Sequence, residues 1–272
     1  MMKKLKQPYH WIMSWIAAFV YGFPSRSMTI IGVTGTKGKS TTSYMIAKIF
    51  EEQGKSVAMI GSLGYMINGK TWPNTLKMTM PGRWYLQQFL ARARKAGVQY
   101  LVLEVTSEGI AQHRLNGIHV DCAVFTNLHK EHIESHGSFE NYMAAKKKLF
   151  EKAKRVHVIN ADNLYTDEFL AIPAQKILTY GLVRGDVTQK ILDIHLQLAG
   201  EFNIYNALAA VSVAHIYELD FLKAKATVEE IPVVAGRMEY LDGGQSFDVV
   251  VDYAHTPESL EGVYQTLKNQ KS

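Results

Sequence analysis

From Met28 to Asn160, short β-branched apolar runs alternate with longer segments whose apolar residues recur at helical spacing. Met28-Thr-Ile-Ile-Gly-Val33 reads as a buried parallel strand, and so do Ser56–Ile60, Tyr100–Val105, Asp121–Thr126 and Arg155–Asn160. Between them Ser40–Gln53, Gly82–Ala96 and Phe139–Lys152 read as helices. Tyr44, Met45, Ile46, Ile49 and Phe50 mark the apolar positions of the first, and Gly54 and Gly97 stop the first two. Gly61–Trp72 reads as an irregular hairpin turning at Asn68-Gly69. This rhythm predicts an α/β fold, a phosphate-loop type of parallel sheet with helices on both faces.

After Ala174 the pattern changes. Lys176–Tyr180 reads as a strand, and Val187–Leu198 alternates apolar and polar residues as an antiparallel edge would. Glu201–Glu218 is a helix rich in Ala and Val, and Asp220–Glu230 a shorter one before Pro232. Gly236–Gly244 reads as a boundary, followed by a strand over Phe247–Asp252 and a helix from Pro257. One strand and one helix cannot bury a core of their own. The expected organisation is an apolar leader helix over 1–27, a central domain over 28–235, and the beginning of a further Rossmann-like domain over 236–272, cut short or completed by another chain.

The leader is apolar from Trp11 to Phe23, thirteen residues, after a start carrying Lys3, Lys4 and Lys6. A bilayer span needs about 20 residues, and no small-residue cleavage site follows, since Phe23-Pro24-Ser25-Arg26 comes next. A helix packed on the body is the leading expectation, ahead of an interfacial membrane helix and a cleaved signal.

Composition narrows the class. At about 150 residues per domain, 272 residues make just under two domains, and 47% hydrophobic with 20% charged residues excludes a disordered or low-complexity protein. A single cysteine, Cys122, excludes an intrachain disulfide framework and a multi-cysteine zinc site. Thirty Lys and Arg against 25 Asp and Glu leave a net charge of +5, which suits phosphate-bearing ligands and is too weak to argue for nucleic acid.

The chemistry begins at Gly32-Val-Thr-Gly35-Thr-Lys-Gly38-Lys39-Ser40, between a strand and a helix. There, backbone amides and a helix N-terminus can cradle a phosphate. Lys39 would neutralise β- and γ-phosphate charge and the Ser40 hydroxyl would help hold Mg²⁺. Val33 stands where the strict phosphate-loop pattern has its first glycine, so the match is to the Gly-x-x-Gly-Lys-Ser end. Glu104 ends a buried strand, at the sheet edge where α/β proteins collect ligands, and is a natural Mg²⁺ ligand or support for one. His132, Glu134 and His136 invite a zinc reading that fails on spacing, because positions 133 and 135 are Ile and Ser. Lys147 and Lys148 read as a solvated helix face.

With these residues in place the chain resembles the Mur ligases, in the branch that adds the third amino acid of the peptidoglycan stem. The resemblance runs from about Met28 to the end. It is carried by Gly35-Thr-Lys-Gly-Lys-Ser40, by Glu104-Val-Thr-Ser-Glu with Gln112-His-Arg114, and by Thr126-Asn-Leu-His-Lys-Glu-His132 through His136-Gly137. Ala144-Ala-Lys146, Glu201-Phe-Asn203-Ile-Tyr-Asn206, Gly236-Arg237-Met-Glu239 and Asp252-Tyr-Ala-His255-Thr-Pro257 complete it.

The resemblance implies a cytoplasmic, monomeric ligase that uses ATP and Mg²⁺ and joins a UDP-muramoyl-dipeptide to a free amino acid. It implies that Gly35, Thr36, Lys37, Gly38, Lys39, Ser40 and Thr41 hold the ATP phosphates, with Asn206 at adenine, Arg237 at phosphate and Asp252 at ribose. Ser40, Glu104, His132 and a carbamylated Lys146 are the implied metal ligands; Lys39, Glu104, His132 and Lys146 the implied catalytic set; Thr79, Ser107 and Arg114 the implied muramoyl-dipeptide site. The chain departs from the family at Lys37 (usually Asn), Met80 (usually Thr), Glu108 (usually His) and Phe202 (usually His). Only the leader precedes the first strand, where the family has a domain for the uridine end. A folylpolyglutamate-type ligase and a partner-dependent, non-catalytic nucleotide-binding subunit are the other expectations. Membrane contact by the leader is a minor one, and no nucleic-acid partner is expected.

Overall fold

The computed structural model describes residues 2–130 and 136–270. Helix α1 (Met2–Val20) leads through a short 3₁₀ turn to β1 (Thr29–Thr34) and α2 (Lys39–Glu52). Strands β2 (Val57–Gly61), β3 (Gly64–Ile67) and β4 (Lys70–Trp72) follow, then α3 (Arg83–Lys95), β5 (Tyr100–Glu104), α4 (Ser107–Ala111) and β6 (Cys122–Phe125). Next come α5 (Phe139–Lys152), β7 (Val156–Asn160), α6 (Thr166–Leu170), β8 (Lys176–Gly181), β9 (Val187–Thr188) and α7 (Gln189–Leu192). The chain continues through α8 (Glu201–Ile216), α9 (Phe221–Glu229), β10 (Glu239–Leu241), β11 (Val249–Val251) and α10 (Pro257–Gln270).

Among the described residues β1–β9 form one sheet in the order β4-β3-β2-β5-β1-β6-β7-β8-β9, and β10 pairs with β11 in a separate antiparallel ribbon. Strand β1 lies centrally, parallel to β5 on one side and β6 on the other. Side chains alternate across it, as strand geometry requires. Ile31, Val33, Val102, Val124 and Val158 pack with α2, α8 and α9 on one face. Ile30, Leu101, Leu103, Phe125 and Ile159 pack with α3, α5 and α6 on the other. The expected two-faced α/β sheet is therefore present. Burying each such side chain contributes roughly 1.5–3 kcal/mol, so the centre of the sheet is the rigid platform for the loops at its carboxyl edge.

The hairpin turns at Asn68-Gly69, both with positive φ (47° and 77°), as a type I′ turn demands. The expected antiparallel edge at Val187–Leu198 is not formed. Only Val187 and Thr188 pair, and they run parallel to β8. Leu192, Ile194 and Leu198 instead turn into the core beside α8. The Gln189 side chain satisfies that irregular backbone, donating to the Ile194 carbonyl (2.8 Å) and accepting from its N–H (3.3 Å). Period-two apolar spacing thus serves a packed loop here. Helix α4 is unanticipated; Thr106 caps it by accepting the Gly109 N–H at 3.0 Å.

Helix α1 packs on α3, and its Ser14, Ala17 and Ala18 are buried. No helix among the described residues is long and apolar enough to cross a membrane.

Candidate functional site

The loop after β1 is built by close contacts to distant parts of the chain. Gly38 caps α2 with φ +80°, and a Cβ there would stand 2.3 Å from Asn206 Oδ1. Asn206 Oδ1 accepts the Thr42 hydroxyl (3.1 Å), and Asn206 Nδ2 donates to Asn203 Oδ1 (3.1 Å). The amide from α8 is thereby fixed against the start of α2. Lys39 folds across the loop, its Nζ donating to the carbonyls of Gly35 and Thr36, each at 2.9 Å. Ser40 and Thr41 open α2, where free N–H groups and the helix dipole favour an anion.

The next strand end clamps the same loop. The Thr126 hydroxyl donates to the Lys37 carbonyl (2.6 Å), and the Lys37 N–H donates to Asn127 Oδ1 (2.8 Å). The His129 N–H donates to Thr36 Oγ1 (3.0 Å), whose hydroxyl also meets the Tyr142 hydroxyl at 3.1 Å. The sequence alone gives Thr126, Asn127 and Tyr142 no individual role. The signal for the first two was their place at a strand's carboxyl end; for Tyr142 there was none.

Glu104 is buried at the end of β5, within reach of the loop. Burial pushes its carboxyl up from the ordinary range, opposed by the Lys39 charge and by hydrogen bonds from Ser40 and Ser62. Ser62 donates to Glu104 Oε2 at 3.2 Å and meets the Thr79 hydroxyl at 2.8 Å. Lys146, buried on α5, donates to the Gly35 carbonyl (2.7 Å) and stands 4.6 Å over the Tyr142 ring. Among the described residues no three His, Cys, Asp or Glu side chains gather as a ready metal cage. The oxygen donors present, Ser40 and Glu104, fit Mg²⁺, which keeps waters and takes phosphate oxygens from a nucleotide. His132 and Glu134 lie outside the described residues. His136 Nε2 lies 3.0 Å from the Ser107 hydroxyl.

The facing wall carries Thr79, Ser107 and Arg114. Arg114 donates to the Met80 carbonyl and to Gln112 Oε1 (2.8 Å for the latter). Burial holds the Arg114 guanidinium below its ordinary value, as does the Arg83 charge, while Glu108 opposes both. The carboxylate at position 108 thus feels the Arg114 charge without forming an ion pair with it, among the described residues of this wall. Met80 is buried and lines the same cavity with an apolar side chain.

The carboxy-terminal ribbon closes the nucleotide side. Arg237 donates to Ser40 Oγ (3.1 Å) and stacks 4.7 Å over Tyr253. Lys37 Nζ donates to Thr256 Oγ1 at 2.9 Å. Asp252 accepts the Met238 N–H on one oxygen (2.8 Å) and the Ala254 N–H on the other (2.7 Å), fastening the ribbon. Further round, Asp162 accepts the N–H groups of Leu182, Val183 and Arg184 and the Tyr205 hydroxyl.

A single cavity of about 1210 Å³ is lined by Gly35 to Thr41, Thr79, Ser107, Arg114, Lys146, Asn206, Arg237 and Asp252. Glu108, Thr126, Asn127, Tyr142 and Asp162 line it too. Every sequence-selected site residue that is described, except the enclosed Glu104, therefore faces one space. Glu104 reaches it through Ser62.

The chain is similar to known proteins. Residues 33–214 match the profile of the Mur ligase middle domain. The UDP-N-acetylmuramoyl-L-alanyl-D-glutamate–2,6-diaminopimelate ligase of Caldanaerobacter subterraneus subsp. tengcongensis is 34% identical, over 96% of this chain and 57% of its own length. The UDP-N-acetylmuramyl-tripeptide synthetase of Roseiflexus sp. is also 34% identical, over 93% and 57%. A solved UDP-N-acetylmuramoyl-L-alanyl-D-glutamate–2,6-diaminopimelate ligase superposes with a TM-score of 0.74 at 33% identity, covering 89% of this chain and 54% of that one. The chain spans little more than half the length of these relatives. Its matched segment holds the phosphate loop, the central strands and α8 that together frame the cavity, and on that ground the chain belongs to the Mur ligase family.

Proposed function

We propose that this chain carries the ATP site and acceptor wall of a ligase that adds the third amino acid to UDP-N-acetylmuramoyl-L-alanyl-D-glutamate in peptidoglycan synthesis. We divide it into a leader helix over 1–27, an ATP-binding central domain over 28–235, and the beginning of the carboxy-terminal ligase domain over 236–272. The observation that carries the reading is the shared cavity: the phosphate loop and the Thr79, Ser107 and Arg114 wall line one space.

A carboxylate does not react with an amine at neutral pH. In the proposed route the γ-phosphoryl of ATP passes to the side-chain carboxylate of the acceptor's D-glutamate, releasing ADP. The amine of the incoming amino acid attacks the acyl phosphate, loses a proton, and expels phosphate to leave an amide. Such transfer needs positioning and charge neutralisation more than covalent chemistry by the protein. Lys39 and Arg237 neutralise phosphate oxygens, and the N–H groups from Gly38 to Thr41, at the start of α2, orient them. Asn206 and Asp252 receive the adenosine end. Arg114, Ser107 and Thr79 hold the anionic acceptor.

Ser40, Glu104 and His132 would hold Mg²⁺, which when bound supplies charge neutralisation at the phosphates. Lys146 is proposed to act as a carbamate. Its buried place beside Gly35 suits that change, because a carbamate keeps one N–H for the loop carbonyl and turns a cation into an anion.

The test is ADP release by the chain with Mg²⁺, ATP, the muramoyl-dipeptide and candidate amino acids, with the product weighed by mass spectrometry. Release that needs both acceptor and amine, with amide formed, supports the reading. Glu108 within the acceptor wall favours a second one, a nucleotide-binding subunit that turns over only with a partner. Nucleotide binding without turnover would support that instead. Turnover with a folate acceptor would move the chain to the folylpolyglutamate type.

A further inference from the structure

Helix α1 carries its apolar residues the wrong way round for a helix that serves only the protein's own core. Trp11, Ile12, Trp15, Ile16, Phe19 and Val20 fall at i, i+1, i+4, i+5, i+8 and i+9, so they share one face. All six are exposed, from 40% for Trp15 to 74% for Phe19. The opposite face, Ser14, Ala17 and Ala18, meets the body. That seat is tight: Gly117 has φ +71°, and a Cβ on it would stand 2.2 Å from the Ala18 Cβ. A surface helix ordinarily turns its large apolar stripe inward. Here small residues fix the helix and large ones face outward.

What the face fits is set by its chemistry. Trp11 and Trp15 stand edge to face at 6.3 Å, and Trp15 meets Phe23 at 6.4 Å. The Arg26 guanidinium lies 4.7 Å over Phe23. Tyr21 packs against Trp84 of α3 at 6.4 Å. The sequence adds Lys3, Lys4 and Lys6, and no Asp or Glu occurs before Glu51. Aromatic side chains on an apolar stripe, in a helix whose sequence carries basic and no acidic residues, match a lipid–water interface bearing anionic headgroups. The helix is too short and too mixed to span a bilayer, so it would lie in the interface plane.

We infer that α1 docks the protein on an anionic membrane surface through its Trp11, Ile12, Trp15, Ile16, Phe19 and Val20 face. The inference is independent of the proposed ligase activity.

The test is flotation of the chain with phosphatidylcholine vesicles with and without phosphatidylglycerol, read beside tryptophan emission. Co-flotation with the anionic vesicles, a blue shift, and release by high salt are expected. The pair Ile12→Ser and Phe19→Ser should weaken binding at least about tenfold, with nucleotide binding unchanged. Leu164→Ser, at an exposed site elsewhere, should leave it intact. If circular dichroism shows the pair misfolded, Ile16→Ser and Val20→Ser replace it. No flotation and no shift with anionic vesicles overturns the inference. So does equal binding to neutral vesicles. Light scattering that shows a dimer, lost with the same substitutions, would make this face a contact between copies and also overturn it.

Discussion

Gly38 and Asn206 are in contact across the phosphate loop: a Cβ on Gly38 would come within 2.3 Å of the Asn206 side-chain oxygen. Two elements distant in sequence, the start of α2 and the face of α8, are thereby held at one distance. Gly38→Ala adds that clash to a positive φ costing roughly 1–2 kcal/mol for an L residue. The expected result is a lower melting temperature and at least a tenfold loss of ATP affinity, read by thermal denaturation and by titration with nucleotide.

Lys39→Ala removes the amine that bridges Gly35 and Thr36 and that is proposed to meet the phosphates. ATP turnover should fall by about 10²-fold or more while the far-ultraviolet circular dichroism is unchanged. Turnover at the parent rate would remove the loop from the mechanism.

The alternation of apolar runs made the central sheet legible, because a buried parallel strand must be apolar on both faces. Ile30 and Ile31 show this, one packing against each layer. The phosphate loop was legible for a different reason: Gly38 and Lys39 are required by backbone conformation and charge, and both leave a local signature. Val187–Leu198 departs from the expected antiparallel edge because period-two spacing does not tell a strand from a loop whose apolar residues turn into the core. Tyr142 and Asp162 could not be foreseen, since their value comes from contacts with residues far away in sequence, Thr36 and Tyr205. The exposed face of α1 was visible as an apolar run, but which residues face outward depends on how Ala18 seats against Gly117.

Asp162 has a pH signature. Burial opposes its ionisation, but the N–H groups of Val183, Arg184 and Leu182 outweigh that and hold the carboxyl below its ordinary value. A depressed folded-state value stabilises the fold above the unfolded-state pKa, about 3.9, and the contribution is lost as pH falls through the folded-state value. Asp162→Ala should cost about 1–3 kcal/mol near neutrality and flatten the fall in stability on acidification below about pH 4. Urea unfolding across that range measures both.

Lys146→Ala takes away the group that rests on the Gly35 carbonyl and is proposed to carry the carbamate. Turnover should drop by about 10²-fold, with nucleotide binding retained within a fewfold. Parent turnover should also decline in buffer stripped of carbon dioxide and return with bicarbonate. Insensitivity to bicarbonate would leave Lys146 as an unmodified amine.

The most direct test of the account is calorimetric titration of the folded chain with a non-hydrolysable ATP analogue, with and without Mg²⁺. Saturable, magnesium-dependent binding that Lys39→Ala abolishes is the predicted result. Absence of binding by well-folded parent protein would contradict it.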